Sequence, residues 1–166
     1  MARIANPRQR KFVQAKGIKC LNYLKYNYIY TMETAKTKYL GDLRTEIIHV
    51  RSGSIITTDA PVDNKGKGEN FSPTDMVASA LGSCILTVMG IAAIEHKFSI
   101  DESTCRITKI MTDNPRKIGE IKIEFDFTGN DYTDKQKKIL DYCVKTCPVA
   151  LSLNESVFQD VTLLFK

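Results

Sequence analysis

From Met76 to Ile94 the chain runs nineteen residues without a charge. Such a stretch is apolar nearly all round and belongs in the interior of a fold. The residues before it carry helix-start signals. Ser72 suits the N-cap, Pro73 the first helical position and Asp75 the positive end of the helix dipole, so a helix is predicted over 72–96. Before this helix the pattern is strand-like. Lys36–Leu40 and Leu43–Val50, joined at Gly41-Asp42, read as a hairpin, and Ser54–Thr58 as a third short strand. After it, Ser103–Thr112 and Ile118–Phe127 read as strands. The second has clear alternation, with Ile121, Ile123, Phe125 and Phe127 on one face. Thr133 and Gln136 form a capping box that opens a second helix with a buried stripe of Ile139, Leu140, Cys143 and Val144. Pro148 ends or restarts it, Ala150–Leu153 is a helical turn and Val157–Phe165 a closing strand. The order β-β-β-α-β-β-α-β predicts an α+β domain whose largely antiparallel sheet wraps a long buried helix.

The uncharged run is about 28 Å long at 1.5 Å per residue, nearly a bilayer core. Its many Ala, Gly, Ser and Thr residues, and the β-rich chain around it, favour a core helix over a membrane span.

Charge divides the chain. Its formal charge is +5, yet residues 1–31 hold seven Lys or Arg and no acid, which leaves −2 for the remainder. The body lacks the basic footprint of a nucleic-acid-binding protein. The compositional break near Met32 separates a basic N-terminal tail, 1–34, from a functional unit over 35–166.

Five cysteines, Cys20, Cys84, Cys105, Cys143 and Cys147, are odd in number and widely spaced, with no secretory leader before them. That pattern predicts the reducing cytoplasm. No CxxC pair is present, and His49 and His96 stand far apart, so no metal site and no cofactor are expected. Cys84 on the apolar helix reads by itself as an inert core thiol. Cys147 precedes Pro148 at a helix start, where free N–H groups and the dipole favour a thiolate, so it is expected to be accessible and partly ionised. Cys143, one turn earlier, competes with it as a redox partner. Cys105 and Cys20 read as bystanders.

A helix opened by Ser72-Pro73 and carrying Cys84, followed some sixty residues later by Thr146-Cys147-Pro148, resembles the OsmC/Ohr family of thiol peroxidases over about residues 35–166. The resemblance implies an intertwined homodimer in which N-terminal hairpins of both chains form shared sheets around two central helices, with active sites at the interface. It also implies that Cys84 attacks an organic hydroperoxide, that Cys147 closes a disulfide with it, and that a thiol reductant such as the dihydrolipoyl group of a lipoylated protein resets the pair. A buried thiol needs a cation to ionise. The family takes an arginine from the first hairpin, matched here by Arg44, with Arg51 as runner-up. Peroxidase members place a glutamate directly after the helix-opening proline to hold that arginine. This chain has Thr74 there and an acid only at Asp75, about 100° further round the helix, and so is similar to a divergent branch. The alternative expectation is a non-catalytic protein of the same fold that binds a small molecule.

Overall fold

A computed structural model describes residues 33–166. The proposed tail, all but its last two residues, lies outside them. The elements are β1 (Ala35–Gly41), β2 (Arg44–His49), β3 (Ile55–Asp59), a 3-10 turn (Val62–Asn64), α1 (Pro73–Glu95), β4 (Thr104–Asp113), β5 (Arg116–Asp126), α2 (Asp134–Thr146), α3 (Pro148–Ser152) and β6 (Phe158–Leu164). This is the order that the hydrophobic pattern predicts, and the fold is α+β.

Two three-stranded sheets form, in the orders β1-β2-β3 and β4-β5-β6. The β1–β2 turn falls on Asp42 and Leu43, one residue later than expected. Both have positive φ, 49° and 61°, as a tight hairpin of this hand requires. Contacts separate described residues 33–36 and 48–55 as a small unit from the larger unit of 37–47 and 56–166. The small unit holds its own turn: the Gly53 N–H donates to the His49 carbonyl at 2.8 Å, and the Val50 N–H to that of Thr34 at 3.0 Å.

In the larger unit β4 and β5 pair antiparallel, with Ile107 opposite Ile123 and Cys105 opposite Phe125. β6 pairs parallel to β5, with Val161 beside Ile123 and Leu163 beside Phe125, so this sheet is mixed rather than antiparallel throughout. A parallel neighbour needs a long crossover, and the α2–α3 segment supplies it. The predicted face of β5, Ile121, Ile123, Phe125 and Phe127, is fully buried.

α1 starts as expected. The Asp75 N–H donates to Ser72 Oγ at 3.1 Å, and the Ser72 N–H to Asp75 Oδ2 at 2.8 Å. Its buried residues, Ala78, Leu81, Gly82, Ile85, Met89 and Ala93, make one stripe against β4 and β5. At Gly82 the strand comes so close that a Cβ would lie 2.6 Å from Ile107 Cδ1 and 3.3 Å from Cys105 Sγ. The opposite stripe is also uncharged but is not covered by the described residues: Val77 is 38% exposed, Ile91 54% and Ile94 79%. With Ala80, Cys84 and Thr87 between them, these residues follow the three-four spacing of a helix–helix seam. By length and apolarity alone α1 could cross a membrane. Its Leu81, Ile85 and Met89 side chains are in the core of this domain.

Candidate functional site

Cys84 lies midway along α1, on the border between the buried stripe and the uncovered seam, and is half-buried. Cys147 is the hinge residue between α2 and α3. Its backbone is extended, φ −62° and ψ 123°, as the residue before a proline must be. α3 packs on α1 beside α2, and the Cys84 thiol stands close enough to Cys147 to act on it electrostatically. The structure therefore brings this pair of sequence candidates together.

Cys147 is not the exposed, partly ionised thiol that its place at a helix start suggests. It is 0% exposed, and burial pushes its thiol up. The Ala150 and Val149 N–H groups pull the other way without forming a capping bond, and the neighbouring Cys84 adds to the rise. A five-residue helix has a weak dipole, and loss of water outweighs it. Cys143 is buried too. Its Sγ donates to the Val88 carbonyl at 3.9 Å, and burial raises its thiol as well. Cys105 is half-buried at the Gly82 contact and raised for the same reason.

The charged candidates go elsewhere. Asp75, besides capping α1, pairs with Lys109 Nζ at 2.6 Å. Lys109 also donates to Thr74 Oγ1 at 2.8 Å and lies 3.3 Å from Ser72 Oγ. Burial alone would raise the Asp75 carboxyl, but the hydrogen bonds from Lys109 and Ser72 outweigh it and hold it below the usual carboxylate range. Arg44, at the start of β2, donates through Nη2 to Asp59 Oδ2 at 2.9 Å and to Glu69 Oε2 at 2.5 Å. Arg44 and Asp75 are thus in separate ion pairs. Arg51 is exposed in the small unit.

Three of these partners, Asp59, Glu69 and Lys109, were not picked out from the sequence. Lys109 carried a signal: it alternates with Cys105 and Ile107 on β4, so it is a charged residue at an inward position. Asp59 lies one residue past the expected end of β3, and Glu69 in a loop, and neither carries a periodic signal.

Two cavities flank α1. One, of about 590 Å3, opens beside its first turns and is lined by Glu69, Phe71, Asp75, Ser79, Ile107 and Lys109. The other, of about 460 Å3, follows the crevice between α1 and α2 and is mostly apolar, with Val88, Ile91, Ile139, Tyr142 and Cys143 in its walls and Lys138 at its edge. Among the described residues no group of three or more His, Cys, Asp or Glu could hold a metal ion. Two adjacent thiols in a largely apolar setting can exchange two electrons as a dithiol–disulfide couple.

A mixed sheet packed on a long helix, with one cysteine on that helix and a second in the crossover behind it, defines an OsmC-like architecture. Residues 66–161 match the OsmC-like protein family, and the chain belongs to that family. It is 45% identical to a protein of Psychrobacter arcticus provisionally named an osmotic stress induced and detoxification response protein, over 82% of this chain and 99% of that one, with a TM-score of 0.78. The fold is also that of an OsmC-like protein of Mycoplasma pneumoniae, 17% identical over 82% of this chain and 98% of that one, TM-score 0.68. It is shared as well with an organic hydroperoxide resistance protein OsmC of Legionella pneumophila, 14% identical over 80% of this chain and 98% of that one, TM-score 0.61. No curated protein sequence matches the chain.

Proposed function

We propose that this protein is a thiol peroxidase that reduces organic hydroperoxides through Cys84 and Cys147. The observation that carries the reading is the meeting of these two thiols from α1 and the α2–α3 hinge. Family membership and the hydroperoxide resistance name of the Legionella relative support the substrate class. In the first step the Cys84 thiolate attacks one oxygen of the peroxide bond. The O–O bond breaks, the alkoxide leaves and takes a proton as an alcohol, and Cys84 becomes a sulfenic acid. Cys147 then attacks that sulfur, a disulfide forms and water leaves. A dithiol of the dihydrolipoyl type restores both thiols by exchange and is itself oxidised to a cyclic disulfide. Arg44 is the cation assigned to the Cys84 thiolate, and a reducing compartment, the cytoplasm, suits the cycle.

The reading includes a homodimer. The uncharged seam of Val77, Ala80, Cys84, Thr87, Ile91 and Ile94 is left largely open by the described residues, and a second copy of α1 fits its spacing.

The test is turnover. Purified protein is expected to consume cumene hydroperoxide with dihydrolipoamide, and Cys84→Ser to abolish consumption. Peptide mapping after one equivalent of peroxide is expected to find Cys84 linked to Cys147. Equal rates for wild type and Cys84→Ser would refute the enzyme reading, and a Cys84–Cys143 link would remove Cys147 from it. One observation favours a non-catalytic small-molecule-binding protein instead: Thr74 stands where peroxidases carry an acid, and Asp75 is taken up by Lys109. A ligand retained in native mass spectrometry, with no peroxide turnover, would decide for that role.

A further inference from the structure

The crevice between α1 and α2 has no part in the thiol cycle. At about 460 Å3 it has the size of a small-molecule site. It is elongated, running along α1 from Val88 to His96, about 12 Å, and along α2 from Lys135 to Thr146, about 17 Å. The two helices pass in opposite directions, because Cys143 meets Val88 while Cys147, further along the chain, meets Cys84, earlier in α1. The start of α2 therefore lies beside the end of α1, and the two ends of the crevice differ. Near the thiols its walls are Val88, Ile139 and Cys143, and the Cys143 Sγ is turned to the Val88 carbonyl. At the far end its rim carries Lys135, Lys138, His96 and a single acid, Glu95.

The lysines of α2 show which end is chemically unspent. There are four of them. Lys145 pairs with Asp141 at 2.7 Å, and Lys137 Nζ lies 5.3 Å from the centre of the Phe165 ring. Lys135 and Lys138, three residues apart and so on one face, are exposed and have no acidic partner among the described residues, Glu95 included. Lys135 is the second residue of α2, where the helix dipole opposes a cation, so its charge is not placed there to steady the helix. An anion held at this rim would satisfy both lysines and also meet the positive end of the α2 dipole.

We propose that this crevice binds a single-chain amphiphile with an anionic head: the chain lies between α1 and α2, and Lys135 and Lys138 hold the head. The length of the crevice suits a chain better than a compact ring, and its two cations select against a neutral or cationic head. A second copy packed on the outer seam of α1 leaves the crevice open, since of the seam residues only Ile91 also lines it. The proposal stands whether or not the thiol pair turns over peroxide.

The experiment is titration calorimetry of the full chain with dodecanoate, dodecyltrimethylammonium and acetate, with amide hydrogen exchange to locate the site. Dodecanoate is expected to bind once per chain and to protect 88–96 and 135–146. Dodecyltrimethylammonium is expected to bind about tenfold more weakly, and acetate, which has no chain, not to bind measurably. A Lys135→Glu/Lys138→Glu double variant is expected to lose at least about tenfold in dodecanoate affinity, in keeping with two partly solvated charge contacts. Both side chains are exposed, and thermal melting checks that the variant is folded. If it is not, a Lys135→Gln/Lys138→Gln variant carries the test. No binding of dodecanoate, equal affinity for the cationic amphiphile, unchanged affinity in the folded variant, or protection elsewhere would each overturn the proposal. Binding to vesicles of anionic lipid without binding of free dodecanoate would assign the lysines to a lipid surface and overturn it too. Sedimentation of a dimer that dissociates as dodecanoate saturates would make the crevice an interface between copies, with the same consequence.

Discussion

Cys147 shows how burial and local backbone compete at one residue. Its position before Pro148 favours a thiolate, whereas packing against α1 takes water away and pushes the thiol up. In the proposed peroxidase cycle, this burial suits it to the second step, attack on a sulfenic acid beside it, rather than to first attack on peroxide. In Cys147→Ser, peroxide is expected to carry Cys84 on to the sulfinic acid, read as a gain of two oxygens by mass spectrometry. Asp59 and Asp75 make a second prediction at this scale. Both are held below the usual carboxylate range: Asp59 mainly by its hydrogen bond from Arg44, against burial, and Asp75 because burial, the largest single influence, is outweighed by the hydrogen bonds from Lys109 and Ser72 together. A carboxyl lowered on folding binds its proton more readily when unfolded. Its contribution is therefore complete above about pH 4 and is lost as pH falls through the folded value. Urea midpoints are expected to drop between pH 5 and pH 3, and to drop less in a folded Asp59→Asn variant.

α1 is the element on which packing and chemistry converge. Its inner stripe explains its stability: Ile85→Ala leaves a void among Leu81, Met89 and the β5 face, and a loss of about 2–5 kcal/mol is expected from urea unfolding. Gly82 tests the fit to β4. An alanine there gains about 1 kcal/mol in helix propensity. Its Cβ, however, meets Ile107 at Cδ1 and again at Cγ1, 3.2 Å away, as well as Cys105 Sγ. The Ile107 tip can turn aside, whereas the other two atoms have little room, and overpacking of this kind costs about 1–3 kcal/mol. Gly82→Ala is expected to be less stable than wild type, and a more stable variant would mean that the α1–β4 contact is slack.

At the scale of the whole molecule the open question is what covers the outer stripe of α1. Val77, Ile91 and Ile94 present an apolar row of a kind that a chain in water tends to bury. A second copy is expected to do so, with sedimentation showing a dimer at low micromolar concentration. Ile91→Glu places an unpaired charge in the seam and is expected to give a monomer at the same concentration. A wild-type chain that sediments as a folded monomer would contradict the dimer.

The order of elements, both capping boxes and the inward face of β5 were legible in the sequence. Each depends on residues within one or two turns, or on a period of two or 3.6, whereas the choice of Cys84 and Cys147 as a pair came only from the family resemblance. The partners of the charges were not legible. Arg44 meets Asp59 fifteen residues on, and Lys109 meets Thr74 across thirty-five, and no local pattern encodes such pairings. The parallel placement of β6 was equally hidden, because strand direction is decided by where the α2–α3 crossover returns the chain. Cys147 makes the division plain. Its neighbours Thr146 and Pro148 determined its backbone, while only the packing of α1 against α2 and α3 decided that its sulfur would be buried next to Cys84, because burial depends on what the distant chain brings to cover it.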